Sequence, residues 1–252
     1  MVSVLARPRS ISYKALLWLF GSLTGAQLLL IVINAIGAPD ALNLARDSNI
    51  PAFFHSGLLM SIAGACAAIF AASMGRFGTA LRYVPHPRLW LAVGVAFAYF
   101  SLDEALKIHE WVAHHLFEAM GLWDDMLAGD LTFALWEAVY APLFGGICLL
   151  ILVLLFRNRA DYPASLWAGL LAIGLWGLAL VMEFVTMTFV SENQGVSLGL
   201  SRLEEGAEMA GSTLFLLAST LILRGTLGWE RRSFAGDSVS PASPSQMLTR
   251  PG

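Results

Sequence analysis

The chain has 252 residues, 57% of them hydrophobic and only 13% charged, with a formal net charge of −3. Soluble domains are nearer half apolar and a quarter charged, so a water-soluble globule is excluded. The near-neutral balance excludes nucleic acid as a partner recognised by overall charge.

A membrane-spanning helix needs about 20 mostly apolar residues, and six segments meet that condition. After a basic N-terminal segment, residues 1–13, the first span is Lys14–Ile36. Its apolar run is too long for the core of a cleaved signal peptide, so it reads as a retained span. The second, Ala52–Met74, opens on AFFHSG and carries His55. The third, Leu89–Trp111, ends in SLDEALKIHEW with Asp103, Glu104, Lys107, His109 and Glu110. From Val112 to Gly129, apolar residues alternate with acids, which predicts a short interfacial helix and a turn. The fourth span, Leu131–Phe156, carries Glu137 and, below it, Pro142 with Gly145 and Gly146, a combination that predicts a kink. The fifth, Ser165–Val190, carries Glu183 between apolar flanks. The sixth, Leu203–Leu223, is preceded by Arg202 and starts LEEGAEMAG with Glu204, Glu205 and Glu208. Residues 14–225 thus form one six-helix, all-α membrane domain, and 226–252 read as a disordered cytoplasmic tail rich in Ser and Pro. The two cysteines, Cys66 and Cys148, fall inside apolar runs and read as small buried hydrophobes.

Loop charge sets the expected orientation. Arg7, Arg9 and Lys14 precede span one; Arg76, Arg82 and Arg88 lie between spans two and three. Arg157 and Arg159 lie between four and five; Arg224, Arg231 and Arg232 follow six. Both termini are therefore expected in the cytoplasm. Spans three and five then run outward with acids in their later halves, and spans two, four and six run inward with polar residues in their early halves. All these groups share one depth, in the outer half of the bilayer.

Charge at mid-span costs about 2.5–3.5 kcal/mol per residue on insertion scales. Converging acids also repel one another. A bound divalent cation relieves both problems. Asp103, His109, Glu110, Glu137, Glu183, Glu204 and Glu208 are the candidate metal ligands. Asp103 and Glu110, seven residues apart, share a helix face if the helix continues, and Glu204 and Glu208, four apart, share another. The oxygen-rich set suits iron, manganese or zinc, in one- or two-metal form. Glu104, Glu205, His55 and His114 stay open as members. Glu104 has Lys107 three residues on, and Glu205 has Arg202 three residues back, so both have ion-pair alternatives; His55 near a span start has an interfacial one.

The LDE-x4-HE segment (Leu102, Asp103, Glu104, His109, Glu110) followed by LEE-x2-E (Leu203, Glu204, Glu205, Glu208) resembles an uncharacterised group of bacterial multi-pass membrane proteins. The resemblance covers roughly residues 100–217 and implies a fold type in a bacterial inner membrane, with no activity attached. More loosely, the Asp103-Glu104 pair is similar to one on a span of the alkaline ceramidase-like hydrolases, which bind zinc through His and Asp. This chain has six expected spans rather than seven and lacks a His-x-x-x-His pair in the last one, so that activity is not carried over.

Three functions compete on these grounds. One is a metalloenzyme acting on a lipid or other apolar substrate near the outer leaflet. A second is a cation- or proton-coupled transporter, disfavoured by inner span halves almost free of ionisable groups. The third is a structural or sensory membrane protein. Membrane lipids are the expected surroundings, and Gly206, Ala207, Ala210 and Gly211 offer a small-residue face for a helix neighbour in the same chain, a second copy or a membrane partner.

Overall fold

The computed structural model describes residues 13–35, 44, 50–74, 84, 86–108, 111–112, 115, 118–119, 131–186 and 194–236, with side chains described over these ranges apart from 13, 17, 35, 131–141, 194–195 and 227–236. Among these residues the protein is all-helical. Six long helices follow in chain order: α1 Tyr13–Ala35, α2 Ile50–Met74, α3 Pro87–Leu106, α4 Leu131–Arg157, α5 Pro163–Val185 and α6 Gln194–Gly236. Five of them, all but α4, are long and apolar enough over their described residues to cross a membrane. The described apolar part of α4 is Pro142–Arg157, within a helix of 27 residues.

Helix ends follow local chemistry. Pro87 and Pro163 open α3 and α5, where the missing N–H costs nothing. α3 stops at Leu106 because Lys107 turns into the left-handed region (φ 53°, ψ 44°), its N–H still bonding to the Asp103 carbonyl at 2.7 Å. This corrects the expected span to Trp111. The helical path is redirected at Lys107, so the seven-residue spacing no longer places Asp103 and Glu110 on one continuous helix face. α5 is assigned through Val185, with Thr186 still in right-handed helical geometry, and the remainder of the expected span to Val190 lies outside the described residues. α6 runs on through Gly236, eleven residues into the segment expected to be tail. Of the stretch expected to hold an interfacial helix, residues 112, 115, 118 and 119 are described and helical, and the rest lies outside the described residues.

α6 is the hub of the bundle. It packs most extensively on α5 and also on α2 and α1, while α2 packs along α3. Close approach depends on glycine at two of these seams. A Cβ on Gly94 of α3 would stand 3.1 Å from the Ala63 carbonyl oxygen of α2. One on Gly211 of α6 would stand 2.8 Å from the Trp176 ring and 3.0 Å from the Ala172 carbonyl oxygen of α5. The small-residue face of α6 is therefore used inside the bundle: Gly206, Ala207 and Gly211 are all buried, with Gly206 facing Ile31 of α1.

The interior is layered along the bundle axis. Nearest the ends where α3 and α5 finish lies a polar layer. Below it is an aromatic layer in which Phe97 (α3), Trp176 (α5) and Phe215 (α6) lie 5.2–5.8 Å apart, centroid to centroid. Phe144 of α4 extends it, 5.9 Å from Trp176. Beneath these rings sit Ile62, Cys66, Ile69, Val93, Ile151, Leu154 and Ile222, all wholly buried. Hydroxyls in the aromatic and aliphatic layers bond to backbone carbonyls, as hydrocarbon requires. Ser73, Ser219 and Thr220 each return to the carbonyl four residues back, and Ser165 of α5 donates to the Ala218 carbonyl of α6. Both cysteines are free. Large apolar side chains such as Trp18 (78% exposed), Leu29 and Trp167 cover the outside of the bundle, the inverse of a soluble protein.

Gly211→Val is expected to lower stability by about 1–3 kcal/mol through overpacking against Trp176, whereas Gly64→Ala, at an exposed position with no atom within 4 Å of the added Cβ, should be neutral or slightly stabilising. Unfolding in detergent measures both.

Candidate metal site

The second turn of α2 carries an imidazole into the bundle. His55, left open between the site and the interface by sequence, is only 5% exposed. Neither ring nitrogen faces bulk solvent. Nε2 lies 3.0 Å from Ser212 Oγ on α6, and the same oxygen accepts the Trp176 indole N–H at 3.4 Å. Nδ1 is buried and has no hydrogen-bond partner. It points at carboxylates, 3.6 Å from Glu104 Oε1 of α3 and 3.9 Å from Glu208 Oε2 of α6. One ligand atom each from His55, Glu205 and Glu208 lie within 4.8 Å of one another.

Three helices build this constellation. The ends of α2 and α3 are joined beside it by a reciprocal pair of bonds: Ser56 Oγ donates to the Ser101 carbonyl at 2.8 Å, and Ser101 Oγ to the Ser56 carbonyl at 2.9 Å. That clamp sets Glu104, one turn beyond Ser101, against His55. On α6, Glu205, Glu208 and Ser212 follow at spacings of three and four, so one helix face presents two carboxylates and a hydroxyl to the same imidazole. α1 closes the flank: Gln27 donates to the Met209 carbonyl at 3.0 Å and to the Thr213 hydroxyl. Arg202 reaches back to the end of α1, donating to the Asn34 carbonyl at 3.1 Å.

The expected ligands fall into distinct groups. Glu208 stands at the centre of the arrangement. Glu183 of α5 and Glu204 lie within electrostatic reach of it or of each other, on the periphery. Asp103 is buried on α3, and neither it nor Glu104 belongs to the His55–Glu205–Glu208 group; Glu104 stands beside that group, against His55 Nδ1. The backbone of Glu137 lies in α4, and its side chain, with His109, Glu110 and His114, lies outside the described residues. His55, Glu104 and Glu205, left open by sequence, are the residues brought to Glu208. The available signal was a histidine that the expected topology put at the depth of the acids, five residues into α2 and so about 7.5 Å below its start.

The geometry suits a small cation. With metal–ligand bonds of about 2.0–2.1 Å, neighbouring ligand atoms of a tetrahedral site stand about 3.4 Å apart. The 3.6 and 3.9 Å separations at Nδ1 are slightly longer than that edge and too long for hydrogen bonds. The carboxylate side is open, with the Glu104 and Glu208 side chains 28% and 32% exposed, while the imidazole side is sealed by Ser212, Trp176 and the aromatic layer. Entry is therefore past the carboxylates.

A family model described as Domain of unknown function (DUF8692) matches residues 14–223. No curated protein and no solved structure matches the chain.

The Ser56–Ser101 clamp gives a direct test of how the wall is held. A double-mutant cycle with Ser56→Ala and Ser101→Ala is expected to give a coupling of about 0.6–1.7 kcal/mol, the range for interhelical hydrogen bonds in membranes. Additive effects would mean that the two serines do not act together.

Proposed function

The chain belongs to the DUF8692 family, which carries no assigned activity, and we propose that it is a six-span protein of a bacterial inner membrane that binds a divalent metal at His55, Glu104, Glu205 and Glu208 in the outer half of the bilayer, for chemistry on a lipid or other apolar substrate. The observation that carries this is the buried His55 Nδ1, with no partner within hydrogen-bond distance and carboxylates from two other helices 3.6 and 3.9 Å away. In a membrane interior such an atom is costly unless a cation or a proton occupies the space before it. One imidazole with three carboxylates, and no thiolate, favours manganese, iron or zinc. When bound, the ion supplies a Lewis acid or a redox centre. The protein's own part is to orient the imidazole through Ser212, to gather the carboxylates and to exclude water from below. Glu183 and Glu204, nearby and acidic, add negative potential that favours cation entry.

The apolar substrate follows from the surroundings of the mouth. Phe53, Leu106 and Leu203, which flank His55, Glu104 and Glu204 in sequence, are all exposed on the outside of the bundle, where acyl chains would cover them. A transport path has less support. Below the polar layer, residues 58–74, 89–100, 143–156, 164–182 and 209–223 contain no Asp, Glu, Lys, Arg or His, and the aromatic layer fills the axis.

Metal analysis of protein purified in mild detergent tests the site. A stoichiometric transition metal is expected, with most of it lost in His55→Ala and in Glu208→Gln. Wild-type protein that neither retains metal nor binds added zinc, manganese or iron would falsify the proposal and favour a structural role for the cluster. The six-span, cytoplasmic-termini topology has its own check. A membrane-impermeant maleimide applied to intact cells is expected to label Ser48→Cys and to spare Asp161→Cys; the reverse pattern would invert the assignment and place the site on the cytoplasmic side.

A further inference from the structure

Among the described residues, Lys107 and Arg202 are the permanent cations at the acid-rich end of the bundle. Arg202 sits eight residues into α6, where α6 meets the end of α1. Its Nη1 donates to the Asn34 carbonyl at 3.1 Å, while its Nε is buried and has no hydrogen-bond partner. Capping α1 explains the first contact and leaves the second unexplained. The end of α1 is also fixed without the arginine, because the Asn34 side chain donates to the Leu30 carbonyl at 2.9 Å and accepts from the Leu44 N–H at 2.8 Å. Nε and Nη2 form the guanidinium edge that fits two oxygens of one phosphate. There is room beside it. Arg202 is half-buried, and Gly199, one turn further out, has no atom within 4 Å of an added Cβ.

We propose that Arg202 holds the headgroup phosphate of a phosphate-bearing lipid, whose reacting part lies deeper, at the carboxylate cluster. This rests on the reading of an apolar substrate at the mouth of the site and names its class. The neighbouring acids do not exclude the anion. At about 100° and 1.5 Å per residue, Glu205 and Glu208 lie about 60° and 120° round the helix from Arg202, and about 4.5 and 9 Å deeper. That offset matches a phospholipid, which carries its phosphate outside the hydrocarbon, its ester linkages just beneath and its acyl chains below. A phosphate on Arg202 puts the linkages at the level of Glu205 and Glu208. The chains then lie against the last turns of α1, where Leu28, Leu29 and Val32 are exposed below Asn34. They do not descend the bundle axis, which Phe97, Trp176 and Phe215 fill.

Binding titrations on the purified protein in mild detergent use three probes: dioctanoyl phosphatidylglycerol, dioctanoylglycerol, which lacks the phosphate, and inorganic phosphate. The phospholipid is expected to bind tightest. Its affinity should fall about 10- to 100-fold in Arg202→Gln, the loss that goes with a charged hydrogen bond, while dioctanoylglycerol binding and metal content stay at the wild-type level. Arg202→Lys, which keeps the charge and loses the planar fork, should fall between. Inorganic phosphate that binds as tightly as the phospholipid identifies a soluble anion and overturns the lipid assignment. Thermal unfolding separates a loosened α1 from a lost headgroup contact: Arg202→Gln that is less stable yet binds the phospholipid like wild type overturns the proposal. So does wild-type protein with equal affinity for the two lipids, a result that needs no variant. Wild-type protein without metal that still shows the Arg202-dependent preference overturns the metal assignment alone. Metal-loaded protein in which Arg202→Gln changes nothing overturns the headgroup assignment alone.

Discussion

A buried imidazole facing carboxylates beneath the end of a helical bundle is the constraint around which this protein is arranged. In hydrocarbon there is no water to complete an unfinished hydrogen bond. His55 therefore needs a partner on each ring nitrogen, and those partners must come from other helices. Ser212 meets the need on one side. On the other side the nearest groups are carboxylates, which themselves require a proton or a cation. The result is a cluster in which an imidazole of α2 faces carboxylates of α3 and α6 at 3.6 and 3.9 Å.

The rest of the bundle supports that arrangement. α6 is central because it carries Glu204, Glu205 and Glu208 together with Ser212, and because Gly211 lets α5 approach it closely. α2 and α3 meet through Gly94 at mid-depth and through the Ser56–Ser101 clamp beside the site. The rings of Phe97, Trp176 and Phe215 then fill the axis below. Trp176 does two things: its ring belongs to the apolar seal, and its N–H fixes the serine that orients the imidazole. Polar chemistry and hydrophobic seal are therefore coupled through one side chain, which places the boundary between the two layers within a single helical turn.

The arrangement was partly legible beforehand. Glu208 and the acids of α3, α5 and α6 stand out in sequence because a carboxylate in an apolar run has a high cost and few bland explanations. His55 stood out less, because a histidine near a span start is common at membrane interfaces; burial by α6 is what removes that alternative, and burial is a tertiary property. The expected Asp103–Glu110 face depended on a continuous helix, and the left-handed turn at Lys107 broke it. No residue type at that position announces the turn, since lysine in the left-handed region has no sequence signature comparable to glycine's.

What the sequence by itself determined is that the chain is helical and built for a membrane, with the acids of its spans read toward one end and basic residues toward the other. Hydropathy and charge cost act residue by residue, so a linear reading captures them. What only the tertiary structure decided is which of those groups meet. Helices α2, α3 and α6 contribute residues separated by as many as 157 positions in the chain, as His55 and Ser212 are, and their meeting depends on glycine-mediated helix approach and on the rotation of each helix about its axis. Those are set by packing against neighbours, which no single segment encodes.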